Sequence, residues 1–280
     1  MINTLLEIAP NSLLQSLILS IIVIGIMIPF KLLNFPDLTS EGAYPLGGGA
    51  CASLILYGMS PLYALVIAGL LAGIAGIGTA IINIKYKINT LLAGIIISTM
   101  LYSITLRIMS KPNVALFDQP SLFQSMAYGI TTQIIILLII NFIVIITLYA
   151  FLNTEKGLQL RAVGLNPSFA EKQGINLNKN IIVGLFIGNM IIGLAGGLLI
   201  QLQHYADIGI GVGIVIHALA AMMIGEKIVG NNTILKMVIS PLIGAIIYQQ
   251  IQGVALTLGL APSDLKFLTG ALVLTIISIR

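Results

Sequence analysis

Apolar runs of roughly 20 residues recur along almost the whole chain, and a helix needs about that many apolar residues to cross a bilayer. Of the 280 residues, 58% are hydrophobic and 8% are charged, whereas a soluble domain carries about 25% charged residues. The runs are continuous and do not alternate with polar residues, which argues against a β-barrel. We therefore predict an all-α, polytopic transmembrane helical bundle.

Polar interruptions divide the chain into apolar runs that predict about nine spans, within a range of roughly eight to ten, in a single membrane domain over residues 1–280. The third run carries Gly69, Gly73 and Gly76 at spacings that favour close helix packing. The polar connector at residues 110–131 is predicted to hold a short surface helix. The runs cover residues 12–31, 43–57, 61–84, 91–109, 132–152, 181–203, 209–228, 235–256 and 265–279.

The longest polar interruption, residues 153–180, contains the pattern of one short helix. Asn166 can cap a helix with its side-chain oxygen, and Pro167 suits the first helical position because its missing N–H costs nothing there. Ser168 to Gln173 can continue the helix, and Gly174 suits the left-handed residue that ends it. A helix this short is marginal in water by itself, so we predict that it packs against its own loop or against another protein.

The distribution of basic residues predicts the orientation of the chain. If the central loop at residues 153–180 is cytoplasmic and the spans alternate, most basic residues lie inside. Those on the cytoplasmic side are then Lys31, Lys85, Lys87, Lys156, Arg161, Lys172, Lys179, Lys227, Lys236 and Arg280, and those outside are Arg107, Lys111 and Lys266. This bias predicts a cytoplasmic central loop and C-terminus.

The chain lacks the patterns of an enzyme or of a self-powered pump. It has no phosphate-binding loop, a single cysteine and two histidines, so we predict no catalytic residue, no metal and no cofactor, and no nucleic-acid partner. No carboxylate is predicted at mid-membrane, where an ion-coupled carrier usually keeps one. A self-sufficient secondary transporter is the alternative function, and a membrane scaffold or a lipid-modifying enzyme is a third.

Four neutral or weakly basic polar residues within the spans are candidates for lining a solute path: Ser98, Thr99, Asn189 and His217. For Ser98 and Thr99 the alternative is an interhelical hydrogen bond. For His217 it is a neutral ring bonded to a neighbouring backbone or hydroxyl group. Asn141 is predicted to make a packing contact.

Two segments resemble each other in pattern. Glu41 and Gly42 lead into a glycine-rich short helix, and Asp207 and Gly209 lead into a second apolar helix that also begins among glycines. An inverted repeat with broken helices beside a solute path would produce this similarity. Independent close packing of glycines is the alternative.

Several longer stretches carry a more specific resemblance. They are residues 32–49 with NFPDLT, residues 88–113 with LYSITLRIM, residues 157–176 with RAVG-x-NP, and the pair Gly225 and Glu226. Taken together, they resemble permease subunits of bacterial ABC importers of the branched-chain amino acid/ribose permease family, most closely those of the tryptophan/tyrosine type.

The resemblance implies how such a chain works. It implies a pathway between two permease copies or close relatives in the bacterial inner membrane, a cytoplasmic ABC ATPase subunit, and an extracytoplasmic substrate-binding protein. It places the ATPase-coupling element at residues 166–170 and its approach at Arg161 and Gly164. The residues of this coupling element are Asn166, Pro167, Ser168, Phe169 and Ala170. For Phe169 the alternative is packing against its own chain. Asp37 is predicted to cap the next turn, with contact to the ATPase as the alternative.

Overall fold

The computed structural model describes residues 2–123 and 129–278, and within them the chain forms eleven α-helices and one two-stranded antiparallel ribbon. The all-helical bundle is confirmed. The helices are α1 (Ile2–Met27), α2 (Ser40–Leu56), α3 (Pro61–Tyr86), α4 (Thr90–Met109), α5 (Gly129–Leu152), α6 (Glu155–Leu165), α7 (Pro167–Lys172), α8 (Leu177–Gln203), α9 (Ile214–Val229), α10 (Ile234–Thr257) and α11 (Leu265–Ser278). The strands are β1 (Asn113–Ala115) and β2 (Tyr205–Asp207).

Each of the nine apolar runs forms one helix, but the helices differ in length. Six segments are long and apolar enough to cross a membrane, namely Ala9–Leu32, Pro61–Tyr86, Thr90–Met109, Gly129–Leu152, Leu177–Gln203 and Ile234–Thr257. The first of these continues α1 through a π-helical turn at Ile28–Leu32. The remaining three helices are shorter, with 17 residues in α2, 16 in α9 and 14 in α11. The predicted number of about nine spans is reached only if these three shorter helices also cross the membrane.

The described residues fall into two compact units. The first unit contains residues 2–24, 129–150 and 216–278, and the second contains residues 25–123 and 151–215. In the first unit, Asn141 on α5 donates hydrogen bonds to the carbonyls of Leu17 on α1 (3.0 Å) and Leu137 (2.9 Å). Asn141 therefore makes the packing contact that the sequence predicts.

The core of the second unit is built by α8, which packs along both α3 and α2. Glycines allow this approach, because a side chain at Gly69, Gly73 or Gly76 of α3 would collide with Leu194, Phe186 or the backbone of Leu185 on α8. Dispersion contacts are the main attraction between apolar helices in a membrane, so close backbone approach stabilises the pair. The close-packing prediction for the third run is confirmed.

The connector after α4 forms no surface helix in its described part, which contributes β1 and, at residues 129–131, the start of α5. The rest of the predicted connector, residues 124–128, lies outside the described residues. In the ribbon, Val114 of β1 pairs with Ala206 of β2. The backbone N–H of Leu116 donates to the carbonyl of His204 (2.8 Å) and extends the pairing. The partner strand follows α8, so a local sequence pattern could not indicate it.

The polar segment at residues 34–42 packs into the second unit. Phe35, Asp37, Thr39 and Ser40 are buried and Asn34 is exposed. The segment folds inward between the π-helical turn and α2. The Asp37 carboxylate therefore lies in the protein interior, outside the six segments that are long and apolar enough to cross a membrane.

Candidate functional site

The short helix α7 has the structure that its sequence predicts. Asn166 is its N-cap, and Oδ1 of Asn166 accepts a hydrogen bond from the backbone N–H of Phe169 (3.0 Å). Pro167 is the first helical residue. Gly174 follows the helix with φ of +77°, a conformation that an L side chain rarely adopts. Both ends of the helix are therefore specified by residues within one turn of it.

Helix α7 packs against the chain through one buried side chain, and the rest of its first turn is exposed. Ala170 is fully buried, whereas Asn166, Pro167 and Ser168 are exposed. Phe169 is 57% exposed, and Leu165 at the end of α6 is 87% exposed. Large apolar side chains in a polar loop leave their surface in water unless another molecule covers them.

Arg161 and Gly164 lie on α6 and support the loop from within. A side chain at Gly164 would collide with the carbonyl of Leu32 and the backbone of Leu33, so the glycine lets α6 approach the π-helical turn. Arg161 is half-buried, and its Nη2 donates to the carbonyl of Leu152 (3.4 Å). Arg161 and Gly164 thus contact other parts of the chain, whereas the first turn of α7 is exposed.

A cavity of about 300 Å³ lies in the second unit between the start of α2, the middle of α4 and the 3₁₀ turn at Ile208–Gly211. It brings Ser98 and Thr99 together with Glu41. Cavities of about 300 Å³ and larger are the usual size for small-molecule sites. Its lining consists of Glu41, Gly42, Pro45, Ser98, Thr99, Tyr102, Thr105, Ile208, Gly209, Gly211 and Val212.

The cavity joins the two segments that resemble each other in sequence. Gly211 lies so close to α2 that a side chain there would collide with the carbonyl of Glu41 and the ring of Pro45. Glu41 was predicted only to precede a glycine-rich helix beside a solute path, and neither Tyr102 nor Thr105 was predicted to line it. One signal was available, because polar residues 98, 102 and 105 share a face of α4 at helical spacing. The inverted repeat itself stays a prediction.

Asn189 lies outside this cavity and is fully buried. Its Nδ2 donates to Oδ2 of Asp37 (2.8 Å) and to the carbonyl of Leu185 (3.0 Å). Oδ1 of Asp37 accepts from the backbone N–H of Thr39 (2.8 Å) at the start of α2, as the capping prediction requires. Burial raises the pKa of the Asp37 carboxyl, and the hydrogen bonds from Thr39 and Asn189 lower it. Asp37 is fully buried and cannot face a partner.

His217 belongs to the first unit, where it is half-buried. Its ring packs at 57° against the ring of Tyr248, with 5.9 Å between centroids. The hydroxyl of Tyr248 is hydrogen-bonded to Thr269 (2.7 Å) and to Nε2 of Gln252. His217 therefore takes part in a packed polar group formed by α9, α10 and α11.

Comparisons with known proteins agree with this architecture. A family model described as "Branched-chain amino acid transport system / permease component" matches residues 8–277. A tyrosine transport system permease protein of Clostridioides difficile is 37% identical over 264 residues, which cover 94% of this chain and 88% of the relative. The ribose import permease protein RbsC of Haemophilus influenzae is 26% identical over 246 residues, covering 85% and 73%.

The fold also has a solved counterpart. A metal-chelate type ABC transporter in an inward-facing conformation aligns with 97% of this chain and 85% of its own, with a TM-score of 0.51 and 15% identity. At that identity the likeness concerns the fold alone. By the family match and the 37% identical relative, the chain belongs to the branched-chain amino acid transport system permease family and is a multi-pass permease component of an ABC-type transporter, not an enzyme.

Proposed function

We propose that this chain forms the membrane path of an ABC importer for an amino acid and that a separate ATPase subunit docks on α7. The observation that carries the coupling proposal is the exposed apolar surface of Phe169 and Leu165 on a short helix in a polar loop. Helix-in-groove recognition uses such a surface, with an aromatic side chain as its anchor. The tyrosine-transport name of the 37% identical relative supports an amino acid as the solute.

The packing of the second unit supports a route from α7 to the cavity. Helix α7 contacts α6 and α8, and α6 also packs on the π-helical turn. The hydrogen bond from Asn189 to Asp37 joins α8 to the segment that leads into α2, which carries Glu41. A displacement of α7 by the ATPase would thus reach the cavity through α8 and α2, because packed helices move as rigid bodies.

For the solute path itself we propose Ser98 and Thr99, since both line the cavity. Asn189 is assigned the transmitting hydrogen bond, and His217 stays a candidate in the first unit. Both units belong, in this proposal, to one permease domain over residues 1–280. Two copies of the chain, or one copy and a close relative, would complete the path in the bacterial inner membrane. The loop at residues 153–180 would be cytoplasmic, and a substrate-binding protein would deliver solute from outside.

The coupling proposal is tested by replacing residues 166–170 with a Gly/Ser sequence of the same length and co-purifying the ATPase. We expect membrane insertion to be retained and ATPase association to be lost, because the apolar anchor and the helix are both removed. A finer variant is Phe169→Ala, which we expect to weaken association by about 2 kcal/mol or more, the range of an interface hot spot.

Phe117 provides the matched control for the single substitution. It is 74% exposed in the connector after α4, so Phe117→Ala removes a comparable exposed ring away from α7. The proposal requires that Phe117→Ala leaves ATPase association unchanged while Phe169→Ala weakens it. Undiminished association in the Gly/Ser variant would refute the docking role of α7.

A further inference from the structure

The cavity in the second unit contains one carboxylate and no basic counterpart. Glu41, in the first turn of α2, is half-buried, and the backbone N–H of Gly213 donates to its carboxylate. The hydroxyl-bearing residues Ser98, Thr99 and Tyr102 line the same space. Within residues 2–123 and 129–278, no lysine, arginine or histidine lines this cavity.

This composition favours a cationic group over an anionic one. A carboxylate that is partly withdrawn from water attracts a positive charge more strongly than it would in bulk solvent, since the local dielectric constant is lower. It would repel a solute carboxylate brought equally close. An ammonium group matches it best, because its N–H donors form short, charge-assisted hydrogen bonds with carboxylate oxygens.

A second observation indicates an unfilled hydrogen-bonding position. Thr105 lines the cavity and is 1% exposed, and its Oγ1 has no hydrogen-bond partner in the described part of the chain. A buried polar group without a partner is unfavourable, so such groups are usually satisfied by protein, water or a ligand. Thr105 lies on the same face of α4 as Ser98 and Tyr102, so this unpartnered hydroxyl belongs to a residue that lines the same cavity as Glu41.

We propose that the Glu41 carboxylate binds the ammonium group of the solute during passage and that Tyr102 and Val212 contact its side chain. This inference rests on the proposed function, from which it takes an amino acid as the solute class. A site in a transport path must bind well enough to admit the solute and weakly enough to release it. One carboxylate with hydroxyl neighbours meets that requirement better than a site that pairs both charges of the solute.

The first experiment measures uptake of L-tyrosine by the complete transporter, with its ATPase and binding protein, in proteoliposomes. We expect Glu41→Gln to lower kcat/KM by about 10- to 100-fold, the effect of losing a hydrogen bond to a charged group. Glu41→Asp should retain part of the activity, because it keeps the charge. Asp118→Asn, an exposed acid in the connector after α4, is the control that should leave uptake unchanged.

The second experiment tests the charge of the cavity without transport. Thr99→Cys places a thiol in the cavity lining, and the natural Cys51 is fully buried. The new thiol should react faster with an ammonium-bearing methanethiosulfonate than with a sulfonate-bearing one. Adding Glu41→Gln should reduce that preference by about tenfold, and adding Asp118→Asn should not change it.

The outcomes separate the inference from the proposed function. Uptake by Glu41→Gln at the unmodified kcat/KM, or an unchanged reagent preference, overturns the role of Glu41 while amino acid transport and ATPase docking stand. Failure of the unmodified transporter to take up amino acids overturns the proposed solute class and this inference with it. Loss of ATPase association in the α7 variants is independent of both results.

Discussion

Two polar regions of the second unit are stabilised in opposite ways. One is helix α7, and the other is a buried polar cluster that consists of Asp37, Thr39, Thr79 and Asn189. The cap of α7 joins residues three apart in sequence. The cluster joins Asp37 to Asn189 across 152 positions, and Thr39 to Thr79 through their hydroxyls. The local sequence stabilises α7, whereas the cluster is stabilised because three segments meet in the interior: residues 34–42, α3 and α8.

This difference indicates that the buried cluster stabilises the fold, whereas α7 is available for recognition. Cluster members are fully buried, so removing one deprives its partners of a hydrogen bond that water cannot replace. The exposed side chains of α7 can be changed without opening the core, since only Ala170 is buried there.

The largest effect is expected for Asp37→Ala. It removes the acceptor of one Asn189 amide hydrogen bond and of the Thr39 N–H, and each buried polar group that loses its partner costs about 1–3 kcal/mol. We expect a loss of about 2–5 kcal/mol in unfolding free energy, seen as a lower Tm in detergent. Asp37→Asn is the control, because it still offers an oxygen to Thr39 and should lose less. Equal Tm values for Asp37→Ala and the natural chain would contradict the structural role of the cluster.

The next largest effect is expected for Gly94→Ala on α4. A methyl group there would lie 2.6 Å from the backbone N of Leu38 and 3.1 Å from Oδ1 of Asp37, so the cluster would have to shift. Overpacking of this kind costs about 1–3 kcal/mol. Thermal unfolding should show a lower Tm, and uptake should fall because α2 and α4 frame the cavity. A Tm equal to that of the natural chain would mean that the segment at residues 34–42 accommodates the methyl group.

A smaller and local effect is expected for Asn166→Ala. Loss of an N-cap destabilises a helix by about 1 kcal/mol, which is enough to unwind six residues but not the unit that carries them. The Tm of the chain should stay nearly constant while ATPase association weakens. Asn166→Asp should preserve both, because aspartate caps equally well. A fall in Tm comparable to that of Asp37→Ala would remove the contrast between the two regions.

The smallest effect is expected for Gly174→Ala, which makes the same chemical change as Gly94→Ala in the other region. A methyl group at Gly174 meets nothing within 4 Å, so only the positive φ of 77° opposes it. That strain amounts to about 1 kcal/mol and falls on the end of α7. The two Gly→Ala variants should therefore differ clearly in Tm by differential scanning fluorimetry. A larger loss at position 174 than at position 94 would reverse the comparison.

The sequence by itself determined the helical membrane class, the nine apolar helices and both ends of α7. These features depend on hydrophobic run length and on capping residues within one turn, which are local properties. Its family resemblance also identified the permease family correctly. The polar residues Ser98 and Thr99 were recognised as candidates for a path, and both line the cavity.

Only the tertiary structure decided where the remaining polar groups lie. Asp37 was predicted to cap the next turn or to contact the ATPase, and it is buried because a partner on α8 compensates the loss of water around its carboxylate. Glu41 lies beside the turn at Ile208–Gly211 because Gly211 lets a segment from the other half of the chain approach α2, and both line one cavity. Such contacts join residues more than 60 positions apart, and no local periodicity encodes which of many polar side chains will meet.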